Sequence, residues 1–518
     1  MKRWLLVGLL LTIAVAAEAR AGYRDLLTEM DAYLPPQQVV SQLKATAPDT
    51  ALHALVPGES EFQAQRAELQ GQEERWRAAL SDPRARPRFL LPDPALMAAA
   101  QETARDDEAA GKLLAHGLTL EMLEVMVLVR SPAVRARESE FEGVLAGYSQ
   151  AEHLDTILRR YATFTRGVMT GVGGMTDPDP VAQKFPFPGV LALKGEIINQ
   201  EAAVAWEELE AARRDAITAA RKAWAELSYL HEAREVVASQ LRLLATQQQT
   251  SLARYQAGDA EFETVVKAGL EHERLKEELT SLVEEQGNVE MAIRSLLALP
   301  ARIGIGEPAP ATYGRRSGGP EALYSLALER RQEVRAAQAM VGKGERMIEL
   351  AESTLFPGFT SNRSLLEPVT VPPVGQVSGV AAALPVISEP GTGAALPENP
   401  GFGADEAYLR QARQKLAALN STAAAERATT LREVREAWYR LDKAWRQEAL
   451  YRERIAALSQ AGLDTATQAY ESGRGGFAQF VESANSWLAA RLGLARAKAD
   501  ILAAEAELDA AVGTRDER

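Results

Sequence analysis

Tyr255-Gln256-Ala257-Gly258 and Tyr470-Glu471-Ser472-Gly473 decide the fold. Each tetrapeptide interrupts a long run in which apolar residues recur every three or four positions, the period of a helix with one buried face. Before the first turn the run includes Trp206, Leu209, Trp224, Leu227, Val237 and Leu244. The spacing predicts one helix from about 196 to 250 and a second from about 261 to 299, where Pro300 stops it. A helix of the first kind is about 80 Å long, too long for an ordinary globular core, and must bury its stripe as a coiled coil does. Joined by a glycine-containing turn, the two helices make an antiparallel hairpin.

The hairpin occurs twice. Tyr255, Gly258, Phe262 and Val266 match Tyr470, Gly473, Phe477 and Val481 at a shift of 215. Upstream, Ile217, Ala223, Trp224 and Leu227 match Leu431, Ala437, Trp438 and Leu441 at a shift of 214. Earlier still, Leu123, Leu128, Arg130, Val134, Arg135 and Ala136 reappear at a shift of 200 as Leu323, Leu328, Arg330, Val334, Arg335 and Ala336. Offsets this steady mark a tandem duplication whose unit is a whole domain. The first repeat is expected over 116–313 and the second over 314–513, with a tail at 514–518.

Two segments lose the helical period. Tyr161 to Lys194 carries Gly171-Val172-Gly173-Gly174 and Asp177-Pro178-Asp179-Pro180, and Leu355 to Gly403 holds eight of the 25 prolines. Both read as extended (about 161–195 and 355–405). Lys2 and Arg3, the apolar run Trp4 to Ala17 and Ala19-Arg20-Ala21 read as a secretory signal peptide over 1–21. No later stretch has the length of a transmembrane helix, so any membrane crossing has to be a β-barrel. Residues 22–115 form an extension cut by prolines, with a helix over about 61–80, and read as a packing or wrapping element.

Composition narrows the function. The chain has 518 residues, 46% hydrophobic and 25% charged, enough to bury a core. A net charge of −13 argues against nucleic acid as a partner. The absence of cysteine excludes thiol catalysis, disulfides, cysteine-bound zinc and a lipidated N-terminal cysteine. Histidines 53, 116, 153, 231 and 272 are isolated, without a metal-binding pair, and Gly342-Lys343 lacks the rest of a phosphate loop. Acidic pairs such as Glu284-Glu285 fit a solvated helix face. No catalytic residue, cofactor or metal site is read, and an enzyme is not expected.

On these residues the chain resembles the TolC-like outer-membrane efflux protein family over roughly Gly117 to Gly513. The resemblance rests on the leucine-rich helices Leu118 to Ala136 and Leu323 to Ala336, and on the junction Leu350-Ala351-Glu352 through Phe356-Pro357. It rests also on the two Tyr-x-x-Gly turns and on the helix ends Leu297-Ala298-Leu299 and Ala511-Val512-Gly513. It implies a mainly α fold of duplicated coiled-coil hairpins with short β-segments. Three subunits would form an α-barrel tunnel and, with four strands each, a shared 12-stranded outer-membrane β-barrel. The strand regions depart from the pattern, since Pro186 and Pro188 interrupt one of them. The implied role is a passive exit duct for an efflux pump or type I secretion system, in the outer membrane and extending into the periplasm. Its implied partners are two further copies of itself, a periplasmic adaptor, an inner-membrane transporter and outer-membrane lipid. The alternative is a non-conducting periplasmic coiled-coil scaffold descended from such a channel.

The resemblance also implies sites. The turns at Tyr255 and Gly258, and at Tyr470 and Gly473, would be the adaptor-docking tips. The positions that narrow the tunnel would be Thr264 and Lys267 in the first repeat and Gln479 and Glu482 in the second. Only Glu482 keeps the acidic group the family pattern has there, and the arginine expected beyond the second turn is replaced by Gly475, with Arg474 beside it.

Overall fold

The computed structural model describes residues 59–82, 84–115, 117–149, 189–257, 261–310, 313–315, 319–355 and 404–515. They are mostly helical. Helices α1 (Glu59–Ser81), α2 (Pro94–Glu102) and α3 (Asp107–Ala115) come from the N-terminal extension. The first series comprises α4 (Leu120–Arg130), α5 (132–149), α6 (Gly189–Ala257) and α7 (Phe262–Leu296). The second comprises α8 (Pro320–Arg330), α9 (Gln332–Leu355), α10 (Ala404–Leu450), α11 (Ala456–Glu471) and α12 (Phe477–Val512). The chain divides into two compact units. Of the first (1–66, 152–191 and 352–406), only the ends of α1, α6, α9 and α10 are described. The second, residues 67–151, 192–351 and 407–518, holds the bodies of the helices and both hairpin turns.

The two series are built alike in detail. Thr119 caps α4 by accepting from the Met122 N–H, and Gly319 with Pro320 opens α8 at the matching position. Both helices then break at equivalent residues, Ser131 (φ −59°, ψ 124°) and Arg331 (φ −61°, ψ 125°). The chain resumes at once as α5 and α9. Between α10 and α11 lies a π-helical turn, Tyr451–Ile455. The shift between the series is 214 before this turn and 215 after it. A π turn adds a residue without ending the helix, so the bulge absorbs the one-residue difference. Opposite it, Gly493 on α12 leaves room for the Tyr451 ring, which a Cβ would approach to 2.4 Å.

Burial follows the stripes. One core joins α2, α3, α4, α6 and α7 through Leu114, Leu123, Met126, Trp224, Ile293 and Leu297. A second joins α6, α7, α11 and α12 through Leu230, Leu244, Leu275, Leu463, Tyr470 and Phe480. A third joins α8, α10 and α12 through Ala327, Val434, Leu441, Leu508 and Val512. The described part of the extension packs against the helices of the first series. Trp76 of α1 sits between Phe141 of α5 and Trp206 of α6, at ring distances of 5.8 and 6.3 Å, and donates to Asn199 at 2.9 Å. The connector after α7 runs beside the segment before α4, with a parallel bridge between Leu118 and Pro308.

Helix α6 corrects both of its expected boundaries: it runs on through Tyr255 to Ala257, past the expected end near 250, and it also begins early. Residues 189–195, assigned to the first extended segment, are helical. Val190, Leu191, Ala192 and Leu193 follow Pro188 without another proline, so good helix formers simply extend α6 backwards. The edges of the second extended segment, Leu355 and residues 404–405, are likewise helical, and the rest of both segments, the signal peptide and Gly258 lie outside the described residues. Among the described residues no helix is long and apolar enough to cross a membrane.

Candidate interaction site at the hairpin tips

The second tip is a closed turn. The Ser472 N–H donates to Gln468 O at 3.0 Å, and the Gly473 N–H to Tyr470 O at 3.1 Å. Gly473 takes φ +73°, which reverses the chain, and the Arg474 and Gly475 N–H groups then share the Ala469 carbonyl at 2.9 Å each. A Cβ on Gly475 would lie 2.9 Å from that of Ala469, which gives a local reason for glycine where the family pattern has arginine.

Tyr470 is the centre of this tip and is only 3% exposed. Its ring stacks on Phe480 at 5.7 Å and meets Phe477 edge-on at 5.6 Å. Helix α6 supplies the rest. The Ser251 hydroxyl bonds the Tyr470 hydroxyl at 2.7 Å, and the Arg254 guanidinium lies 4.9 Å from the ring centre. Arg254 also donates to Glu471 O at 2.7 Å. The first hairpin thus clamps the tip of the second.

The first tip has the same aromatic pair without the clamp. Tyr255 packs on Phe262 at 5.4 Å, yet the two are 44% and 59% exposed. Val266 and Leu270 continue this open stripe along α7. The expected narrowing residues divide into two groups. Lys267 and Glu482, both outside the buried core, line one groove of about 690 Å³ between α7 and α12, with Leu270, Glu271, Val481 and Asn485. Half-buried Thr264 and exposed Gln479 are not part of its lining. Lys267 pairs with Glu263 at 2.6 Å, and its hydrogen bond and charge hold the Glu263 carboxyl below the ordinary range.

Away from the tips, charged side chains cross-link the two series. Arg221 of α6 is paired with Glu124 of α4 and with Asp509 of α12, the latter at 2.6 Å; Glu124 also takes Arg515 at 2.7 Å. Arg214 binds Glu333 at 2.6 Å, and Arg331 binds Glu333 at 2.6 Å and Glu433 at 2.8 Å. Burial raises the Glu333 pKa, but hydrogen bonding and charge from Arg214, with Arg331 added, outweigh it and hold the group at about 2. Sequence reading missed this network and the Ser251–Arg254 clamp. A signal existed for the network: Arg214 and Arg221 occupy the same helical stripe as Ile217 and Trp224, where a charge demands a partner. Ser251 and Arg254 carry no comparable mark. Among the described residues there is no group of side chains that could hold a metal ion.

Among solved structures, the chain is similar to the outer membrane protein VceC from Vibrio cholerae. Identity is 15%, over 76% of this chain and 96% of that one, with a TM-score of 0.56. The outer-membrane channel OprN is similar at 15% identity over 83% and 94% of the two chains, with a TM-score of 0.56. The MtrE outer membrane channel of Neisseria gonorrhoeae, in its open state, gives 14%, 76%, 89% and 0.53. The fold is that of a TolC-like outer-membrane channel subunit. No protein-family model matches the chain, and no curated protein sequence is significantly similar to it.

Proposed function

We propose that this protein is the outer-membrane subunit of an export duct, closed by three copies, that carries cargo passively across the periplasm and outer membrane. Energy would come from an inner-membrane transporter, with a periplasmic adaptor docking at the tips. The observation that carries this reading is the contrast between the tips. Tyr470 is covered by α6 of the preceding repeat, whereas its counterpart Tyr255 has no such cover among the described residues and stands open. A second copy, presenting α10 and α11 as α6 is presented here, supplies the missing cover. Such head-to-tail contacts close a ring when the rotation permits.

The register of that contact comes from the duplication. Within the chain, Glu232 of α6 pairs with Lys498 of α12 at 2.8 Å, and Lys222 with Glu507 at 2.7 Å. The matching positions for a contact between copies are Arg446 with Val283 and Glu436 with Ala292, and all four are exposed in the single chain. Because the chain has no cysteine, R446C with V283C gives a clean test. A short bismaleimide should produce a covalent ladder ending at the trimer in the outer-membrane fraction. A ladder without a trimer, or an uncrosslinked chain, would count against the closed ring. Recovery of soluble material from the periplasm would favour the scaffold instead.

A further inference from the structure

A cavity of about 270 Å³ lies between the loop that follows α1 and helices α2, α4, α5 and α6. Leu128, Val129 and Ile217 form part of its apolar wall. Its polar wall is Arg88, Arg135 and Arg213, with Glu138 and Glu210. The carboxylates are already engaged. Glu210 accepts from Arg213 at 2.7 Å through Oε1 and from the Phe89 N–H at 3.1 Å through Oε2. Glu138 accepts from Arg213 at 3.5 Å.

The arginines are left with donors to spare. Arg88 Nη2 donates to Ala79 O at 2.6 Å and Leu80 O at 3.1 Å, but its Nε is buried without an acceptor. Exposed Arg135 gives one Nη to Arg130 O at 3.0 Å. Arg88 and Arg213 lie over the Trp206 ring, at 5.7 and 6.0 Å from its centre, which places an aromatic face behind the two guanidinium groups. Burial, with the charge of Arg213, pushes the Arg88 pKa down, so this guanidinium is poorly compensated where it stands. A buried donor without an acceptor costs about 1–3 kcal/mol, and a guanidinium fork suits an oxyanion better than any neutral acceptor.

We propose that this cavity binds a small phosphate-type oxyanion, gripped by Arg88 on the buried side and by Arg135 at the rim. The cavity has room for a hydrated phosphoryl group, at about 30 Å³ per water. The site is separate from the tips and stands whether or not the chain forms a duct.

The test is calorimetric titration of the full chain in detergent micelles at constant ionic strength. One arm uses inorganic phosphate and a second uses mixed micelles of phosphatidylglycerol, with phosphatidylcholine as the control without net charge. Saturable phosphate heat that is weakened about tenfold in R135Q, the loss expected for one charge-assisted contact, supports a free anion. Saturable heat with phosphatidylglycerol alone, weakened in the same way, supports a lipid headgroup as the source of the same chemistry. R88K, which keeps the charge and loses the fork, should weaken either. No saturable heat in either arm, or heat unchanged in both R135Q and R88K, would overturn the proposal.

Discussion

Gly513 shows how much one residue can carry in this molecule. It ends α12 at φ +83°, with its N–H on Asp509 O at 2.9 Å. A Cβ there would lie 2.5 Å from Arg331 Cα and 2.8 Å from Arg330 O. Conformation and close approach both demand glycine, so G513A should cost at least about 1–3 kcal/mol, read as a lower urea midpoint. Glu333 gives a second test, by pH. Its carboxyl moves from 4.5 to about 2 on folding. The folded state therefore binds this proton less readily than the unfolded one. The stabilisation is present above pH 4.5 and is lost as pH falls towards 2. E333Q should be less stable than the parent at pH 7, and the two urea midpoints should converge as pH approaches 2. A constant gap down to that pH would remove the pairing from the explanation.

At the scale of elements, the two Tyr-x-x-Gly motifs share a sequence pattern, while Tyr255 and Tyr470 differ in what surrounds them. Gly473 needs glycine for its φ of +73°, but a Cβ there would meet nothing within 4 Å. Aspartate tolerates the left-handed region better than most residues. G473D should therefore stay folded, with an unfolding temperature lowered slightly by the strain at this φ, while lowering crosslinking to a periplasmic adaptor on the proposed reading. An unchanged crosslinking yield would take docking away from this turn. Helix α6 ties the elements together: Arg221 reaches α4 and α12, Arg214 reaches α9, and Ser251 and Arg254 hold the tip between α11 and α12.

For the whole molecule, an edge is left open. Phe262, Val266 and Leu270 on α7, Tyr439 and Leu450 on α10, and Leu458 on α11 are large apolar side chains exposed in one copy. Burying them between copies yields roughly 25 cal/mol for each Å² of apolar surface removed from water. A closed trimer would also gather three copies of Glu482 around one axis. On that reading E482A should lower cation selectivity in planar-bilayer recordings, because a ring of carboxylates favours cations. Identical reversal potentials for parent and variant would dispose of the ring.

The long helical runs and the spacing between matching residues were legible in sequence, because periodicity, glycine, proline and repeat spacing are local or one-dimensional signals. The start of α6 was not, since Pro188 and the flanking Gly189 and Gly195 hid the helix formers Leu191, Ala192, Leu193 and Lys194 between them. The environment of each tip was also out of reach. Tyr255 and Tyr470 carry the same motif, and only the packing of α6 against the second hairpin leaves one open and closes the other. The same holds for the partners of Arg214 and Arg221: a stripe announces that a buried charge needs a counter-charge, but residues far along the chain supply it. Sequence settled the bodies of the long helices and which face of each is apolar, through short-range sterics and hydrophobic period. Tertiary structure alone decided which of two equal faces is covered, because burial depends on what the rest of the chain brings alongside.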